Sequence, residues 1–381
     1  MLEPSFLVLP LLYHILPFIA IEWEFLEVPI NKYRILTAKG GTRMAKQIGI
    51  DLGTSNTRIY LKDKGIVLRA PSVVSIDRQT HEVIASGRSA KCMVGKTPGN
   101  IRALRPLKDG VITDLEVTSL MMHDFFERLD MTTLFNRPSA LVCIPYGVTE
   151  VERRAVEDAL FEAGAKNVGL IEEPIAAAVG AGINVSKARG SMLIDLGGGV
   201  SKAAVISYGG MVTSHSIRTA GDELDLAIIE YLKEHRNVLI GEISAEMLKK
   251  RIGTATDDID RGSAEVCGRD LRKGLATTIE VTTEEIRQAL KAPIEEILTM
   301  VKQTLEGTDP ELSADIFDLG IVLVGGGALL PGMADAIRER TGIRVIIPQK
   351  PRPTDCVCMG LGKMLQSVGG DFSELVKYKV K

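Results

Sequence analysis

Two aspartates, Asp51 and Asp195, stand in matching surroundings. Each ends an apolar run, Ile48-Gly49-Ile50 in one case and Met192-Leu193-Ile194 in the other. Each is followed by a leucine, a turn of glycine and small polar residues, and a second apolar run. The first turn is Gly53, Thr54, Ser55 and Asn56; the second begins Gly197, Gly198, Gly199. Alternation of apolar residues before the first turn predicts a half-buried strand, and Gly53 can take the backbone angle that a tight hairpin needs. Successive backbone N–H groups in such a turn form an anion-binding concavity. A carboxylate beside it is placed to hold magnesium through water. The two phrases lie about one domain length apart. Together they predict two similar domains closing on one nucleotide, with metal and phosphates between two carboxylates.

Other residues have chemistry to offer. The run Ile321 to Val324 leads into Gly325, Gly326, Gly327 and Ala328, where bare backbone lets a flat nucleoside approach closely. Glu152 carries two readings. With Thr149 it has the spacing of a capping box; alternatively it orients an attacking water. One carboxylate cannot fully meet both demands at once. Glu173 begins an Ala-rich helix with Pro174 in its first turn and is expected to face the metal. That helix, built of small residues, suits a hinge between domains. Glu246 and Lys249 belong either to a solvated helix face or to the adenine edge. Gly95-Lys96-Thr97 resembles the end of a Walker A loop, but Ala90 stands where its first glycine belongs and Pro98 follows, so it is read as a decoy.

The elements that must position these groups fit a folded α/β chain. Of 381 residues, 45% are hydrophobic and 25% charged, which allows two domains with real cores. A net charge of −3 argues against binding nucleic acid through its phosphates. Five scattered cysteines show no zinc spacing and suggest a reduced, cytoplasmic setting. Helices are predicted over 114–129, 221–231, 243–252 and 283–305, with a helix from Thr149 to near Gly164. Residues 1–43 differ from the rest. The stretch 5–21 is almost wholly apolar but is broken by Pro10 and Pro17. Three readings stand for this segment: a start site placed too early, a membrane anchor, or a packed extension. Leu134 and Phe135 are adjacent apolar residues in a polar loop; they either insert into a lipid interface or fold back on the core.

As a set, IGIDLGTSNT, VGKTPGNIRALRPLKDGVITD, VERRAVEDA, IEEPIAAAVGAG, LIDLGGG and ELSADIFDLGIVLVGGGALLPGM resemble the actin-like ATPases, and among them the MreB/Mbl family of bacterial actins. The resemblance runs from about Met44 to Leu365. It implies the actin-like, ribonuclease H-like fold. Domain I would span 44–188 with a smaller subdomain near 74–117, and domain II 189–353 with one near 224–287. Residues 354–381 would return to domain I. It implies ATP with magnesium, GTP remaining an alternative, and slow hydrolysis coupled to filament dynamics. It further implies self-assembly, attachment to the inner face of the cell membrane, organisation of wall synthesis in rod-shaped cells, and MreC, MreD and RodZ as partners. By position, Asp51, Thr54, Ser55 and Asn56 would form the first phosphate loop, and Asp195 with Gly197 to Gly199 the second. Glu152 would orient the water, Gly325 to Ala328 hold the nucleoside, Glu246 and Lys249 flank the adenine, and Leu134 and Phe135 enter the membrane. The chain departs from the family where Val200, Ser201 and Lys202 replace Thr-Thr-Glu, reversing a charge near the γ-phosphate. A scaffold with little turnover and a small-molecule kinase of the same fold are the alternative functions.

Overall fold

The computed structural model describes residues 46–133 and 137–367. Residues 1–43, Leu134 and Phe135, for which readings are given above, lie outside the described residues.

Two five-stranded sheets dominate the structure. The first contains β1 (Gln47–Leu52), β2 (Asn56–Leu61), β3 (Gly65–Pro71), β4 (Ser139–Ile144) and β5 (Asn167–Glu172). Its spatial order is β5-β4-β1-β2-β3. The second contains β6 (Ser191–Leu196), β7 (Ser201–Ser207), β8 (Gly210–Ile217), β9 (Ile321–Gly325) and β10 (Val345–Ile346). Its order is β8-β7-β6-β9-β10. The two are the same sheet built twice. Each opens with an antiparallel hairpin and a third antiparallel strand, then adds two parallel strands on the other side of the first. In an open sheet of this kind the crevice at the carboxyl ends of the parallel strands, where strand order reverses, is the natural ligand site. Asp51 and Asp195 sit at those ends of β1 and β6, the two reversal strands.

The helices have local causes. Helix α1 (Leu115–Arg128) starts where the Asp114 side chain accepts from the Val117 N–H, and it buries Met121, Met122, Phe125 and Phe126 on one face. Burial of each such side chain stabilises by about 1.5–3 kcal/mol. Helix α2 (Glu150–Glu162) follows β4, and α3 (Glu173–Ala181) follows β5. In the second half, α4 (Gly221–Arg236), α5 (Glu242–Ile252) and α6 (Thr283–Glu306) pack around a separate core. A capping box of Thr282 and Glu285 begins α6, and Pro293 is accommodated inside it. Smaller three-stranded sheets rise from each half. One is made of Val74–Asp77, Val83–Ser86 and Ile101–Leu104, the other of Val238–Leu239, Ser263–Asp270 and Ala276–Thr282.

A third core joins the halves. Tyr60 and Leu141 of the first sheet, Leu193 and Val324 of the second, and Ala176 and Ala177 of α3 meet Leu361 and Leu365 of helix α7 (Cys356–Ser367). Helices α3 and α7 cross with their backbones in contact. A Cβ at Gly180 would lie 1.7 Å from the Cys356 carbonyl oxygen, and one at Gly360 1.8 Å from that of Ala176. Glycine is required at both places because no side chain fits.

Candidate functional site

The turns of the two hairpins meet face to face. A Cβ on Gly198 would lie 2.0 Å from Ser55 Oγ, and one on Gly199 2.8 Å from Thr54 Cγ2. The bare glycines therefore let one turn seat against the side chains of the other. Across this seam Ser55 Oγ donates to Asp222 Oδ1 at 3.3 Å, while within the first half the Gly110 N–H donates to Thr54 Oγ1 at 2.9 Å. Asn56 is exposed at the start of β2. Gly53 does not adopt the left-handed angle anticipated from its hairpin setting; it is not among the positive-φ residues. Its reason is space: a Cβ there would lie 2.8 Å from the Asn56 carbonyl oxygen, just as one at Gly197 would lie 2.8 Å from that of Val200.

Behind the turns lies a buried charged cluster. Asp51 is opposite Arg58 in the β1–β2 register, and Asp195 is opposite Lys202 in the β6–β7 register. In both hairpins a cation is the seventh residue after the aspartate. Arg58 bonds Asp51 Oδ2 at 3.1 Å and also approaches Asp355 at 3.4 Å; Arg69 holds the other side of Asp355 at 2.9 Å. Lys202 pairs with Glu173, the first residue of α3. The Cys143 thiol at the end of β4 lies 3.8 Å from Asp51 Oδ1. Burial pushes the Asp51 carboxyl up to about 6, against the pull of Arg58. Burial again, with Glu173 beside it, raises Asp195 to about 7. Lys202 also sits above its ordinary value: burial opposes its charge, but Glu173 and Asp195 together outweigh it.

Among the described residues, no group of three or more His, Cys, Asp or Glu side chains is arranged to cage a metal. Magnesium seldom needs such a cage; one or two carboxylates, waters and substrate phosphates suffice. Asp51 and Asp195 fit that donor pattern, being buried at strand ends beside both turns. Asp195 has no ion-pair partner among the described residues.

The remaining candidates are placed less uniformly. The glycines after β9 divide their roles. Gly325 has φ +85, and a Cβ on it would strike Asp195 Oδ1 at 2.3 Å. At Gly327 a Cβ would meet Leu196 Cβ at 2.5 Å, whereas Gly326 faces open space. Ala328 is buried in the second core rather than turned to the cleft. The Glu152 carboxylate accepts from the Thr149 N–H at 2.7 Å within a complete capping box. Glu246 pairs with Lys91 of the short helix Arg88–Met93 and with Lys250. Burial opposes its charge, but those lysines hold its carboxyl down to about 2. Lys249 pairs with Asp225 at 2.7 Å and donates to the Gly221 carbonyl. Arg105 adds bridges to Asp222 and Glu242. The Lys91 and Arg105 bridges tie the first half, beside its smaller sheet, to α4 and α5 across the mouth of the cleft. Arg58, Asp222, Asp355 and Cys143 are site residues that sequence reasoning did not single out. Only Arg58 left a signal, the matching offset from aspartate to cation.

The MreB/Mbl protein family model matches residues 45–371. The chain is 45% identical over 324 residues to the cell shape-determining protein Mbl of Bacillus subtilis, covering 85% of this chain and 97% of that one. It is 47% identical over 340 residues to the cell shape-determining protein MreB of Escherichia coli, covering 87% and 97%. Among solved structures, MreB5 of Spiroplasma citri bound to ADP aligns with a TM-score of 0.80 at 36% identity, covering 85% of this chain and 97% of that one. The MamK double helical filament aligns with a TM-score of 0.72 at 19% identity, covering 85% and 100%, and shares the fold. With the duplicated sheet, the facing hairpins and these likenesses together, the chain belongs to the MreB/Mbl family of actin-like proteins.

Proposed function

We propose that this protein is a nucleotide-dependent, filament-forming bacterial actin that acts in determining cell shape. The observation that carries the reading is the face-to-face contact of the two hairpin turns, with Asp51 and Asp195 buried behind it. Such a site works by positioning and electrostatics rather than covalent chemistry. The backbone N–H groups of Thr54 to Asn56 and of Gly198 and Gly199 bind the β- and γ-phosphates, the Gly197 N–H being held by the Val200 carbonyl within its hairpin, and the nucleoside lies over Gly326. The curated relatives named for cell shape, and the MreB5 structures bound to ADP and AMPPNP, support this reading. ATP is the proposed nucleotide. Magnesium, held through water by Asp51 and Asp195, would neutralise phosphate charge. Because the nucleotide touches both halves, it biases closure of the cleft. Head-to-tail association of the closed form makes a heterologous, open filament; the MamK filament supports this step.

A second reading, slow turnover, is favoured by one observation: Glu152 is already committed to its capping box. Hydrolysis is then a timer for disassembly. Attachment to the inner face of the cell membrane through Leu134 and Phe135, organisation of wall synthesis, and association with MreC, MreD and RodZ complete the proposal. No helix among the described residues is long and apolar enough to cross a membrane; the proposed contact is the loop that carries Leu134 and Phe135.

Sedimentation of the full chain with anionic lipid vesicles, with and without ATP and magnesium, tests the reading. Nucleotide-dependent filaments that bind vesicles, with a Leu134→Ser/Phe135→Ser variant keeping filaments but losing vesicles, are expected. A protein that stays monomeric in every condition overturns it.

A further inference from the structure

Each hairpin carries its own built-in cation. Arg58 stands opposite Asp51 and Lys202 opposite Asp195, at the same offset and in the same cross-strand register. The two cations are used differently. Arg58 is fixed by two carboxylates, Asp51 and Asp355. Lys202 has one carboxylate partner, Glu173, and is 8% exposed. It follows the Gly197–Gly199 turn by only a few residues and also lines a cavity of about 320 Å³ with Val200, Pro145 and Tyr146. A long, unbranched side chain on a strand end can swing its ammonium by several bonds without moving backbone. Its charge stands among three carboxylates, Asp51, Asp195 and Glu173. A nucleoside triphosphate entering this cluster meets strong like-charge repulsion unless cations offset it. A divalent metal is the usual source of that charge; here a lysine already stands opposite Asp195 in the hairpin register.

Resting on the nucleotide-binding reading, we propose that Lys202 is a resident cation of the phosphate site. Its ammonium leaves Glu173 to meet the terminal phosphate, so that this protein binds ATP without requiring a divalent metal. Lys202 thereby positions the phosphate and takes over part of the metal's electrostatic role, while Arg58 keeps Asp51 neutralised.

Calorimetric titration of the full chain with ATP, in magnesium and in excess EDTA, tests this. Chelation is expected to weaken binding to the wild type by less than about tenfold. Lys202→Met removes a charge-assisted bond to phosphate and is expected to weaken binding in EDTA by about 10- to 100-fold, with magnesium restoring most of the loss. Because Lys202→Met strands Glu173 in a buried place, the Lys202→Met/Glu173→Gln variant is titrated beside it; the wild-type arm needs no substitution at all. A wild type that loses about 100-fold or more on chelation overturns the role of Lys202 and leaves the nucleotide reading standing. Variants that bind as the wild type does in EDTA overturn it equally. Absence of ATP binding in both buffers overturns the nucleotide reading and this inference with it.

Discussion

Gly326→Ala separates the folding role of the glycine cluster from its ligand role. Gly326 has φ −70 and ψ −35, a backbone conformation any L-residue adopts freely. A Cβ built there meets nothing within 4 Å. The substitution therefore introduces no clash and no strain in the protein alone. Removing glycine narrows the unfolded ensemble, which stabilises by about 0.4–1 kcal/mol at a compatible position. The melting temperature of the free protein should stay level or rise by up to about 4 °C. The neighbours cannot be used this way: a methyl at Gly327 would collide with Leu196, and Gly325 needs its positive φ. If the nucleoside lies against the Gly326 backbone, the added methyl occupies its van der Waals space. The displacement needed, on the order of 1 Å, should weaken nucleotide binding at least about tenfold, or about 1.4 kcal/mol. Differential scanning fluorimetry without ligand and calorimetric titration with ATP give both quantities from one preparation. Unchanged affinity with an unchanged melt would refute the seat assigned to the nucleoside. Lost affinity with a lowered melt would refute the claim that Gly326 is structurally free.

Three further outcomes are expected. Both cleft aspartates have raised folded-state values, about 6 and about 7 against an ordinary 3.8, so the folded state binds more protons than the unfolded between those limits. Stability of the ligand-free protein should therefore fall as pH rises from about 4 to 7, by about 3 kcal/mol from Asp51 alone. Asp51→Asn/Asp195→Asn should flatten that slope in urea melts, and an unaltered slope contradicts the assignment. Glu246 runs the other way: its contribution is present above its ordinary 4.5 and is lost as pH falls toward about 2. Lys91→Glu should weaken that loss and open the mouth of the cleft, read as faster proteolysis of the smaller subdomains. Thr149→Val and Glu152→Ala both damage the α2 cap, at about 1 kcal/mol. Only Glu152→Ala should also slow ATP hydrolysis if the carboxylate orients water; equal hydrolysis in both variants leaves Glu152 a cap and nothing more.

The hairpins were legible because an anion-binding turn demands glycine and small residues, and the demand repeats around Asp51 and Asp195. Helices α1, α5 and α6 were legible from apolar spacing, and their observed bounds differ by a residue or two from those expected. Gly53 is a turn glycine, but space rather than backbone angle requires it. Backbone angle is a local property that sequence suggests, whereas the nearby Asn56 carbonyl is a crowding that only coordinates display. The commitment of Glu246 and Lys249 to ion pairs was hidden for a similar reason, since Lys91 is distant in sequence from its partner. Asp355 and Cys143 carry no motif. They join the site because the turn before α7, Pro353–Asp355, and β4 deliver them to Arg58 and Asp51, through packing of long-range elements that no local spacing encodes.

The crossing of α3 and α7 has a consequence for how the polypeptide is made. A Cβ on Gly49 of β1 would lie 2.7 Å from Leu361 Cβ, so the first strand of the first sheet is capped by the last described helix. A ribosome adding about 5–20 residues per second takes on the order of 15–60 s to travel from β1 to α7. Throughout that interval the face of β1 and β2 turned to α7 lacks that cover. Completion of the first half thus waits for the second to be synthesised, and a chain stopped before Cys356 should be held by chaperones rather than accumulate as a folded fragment.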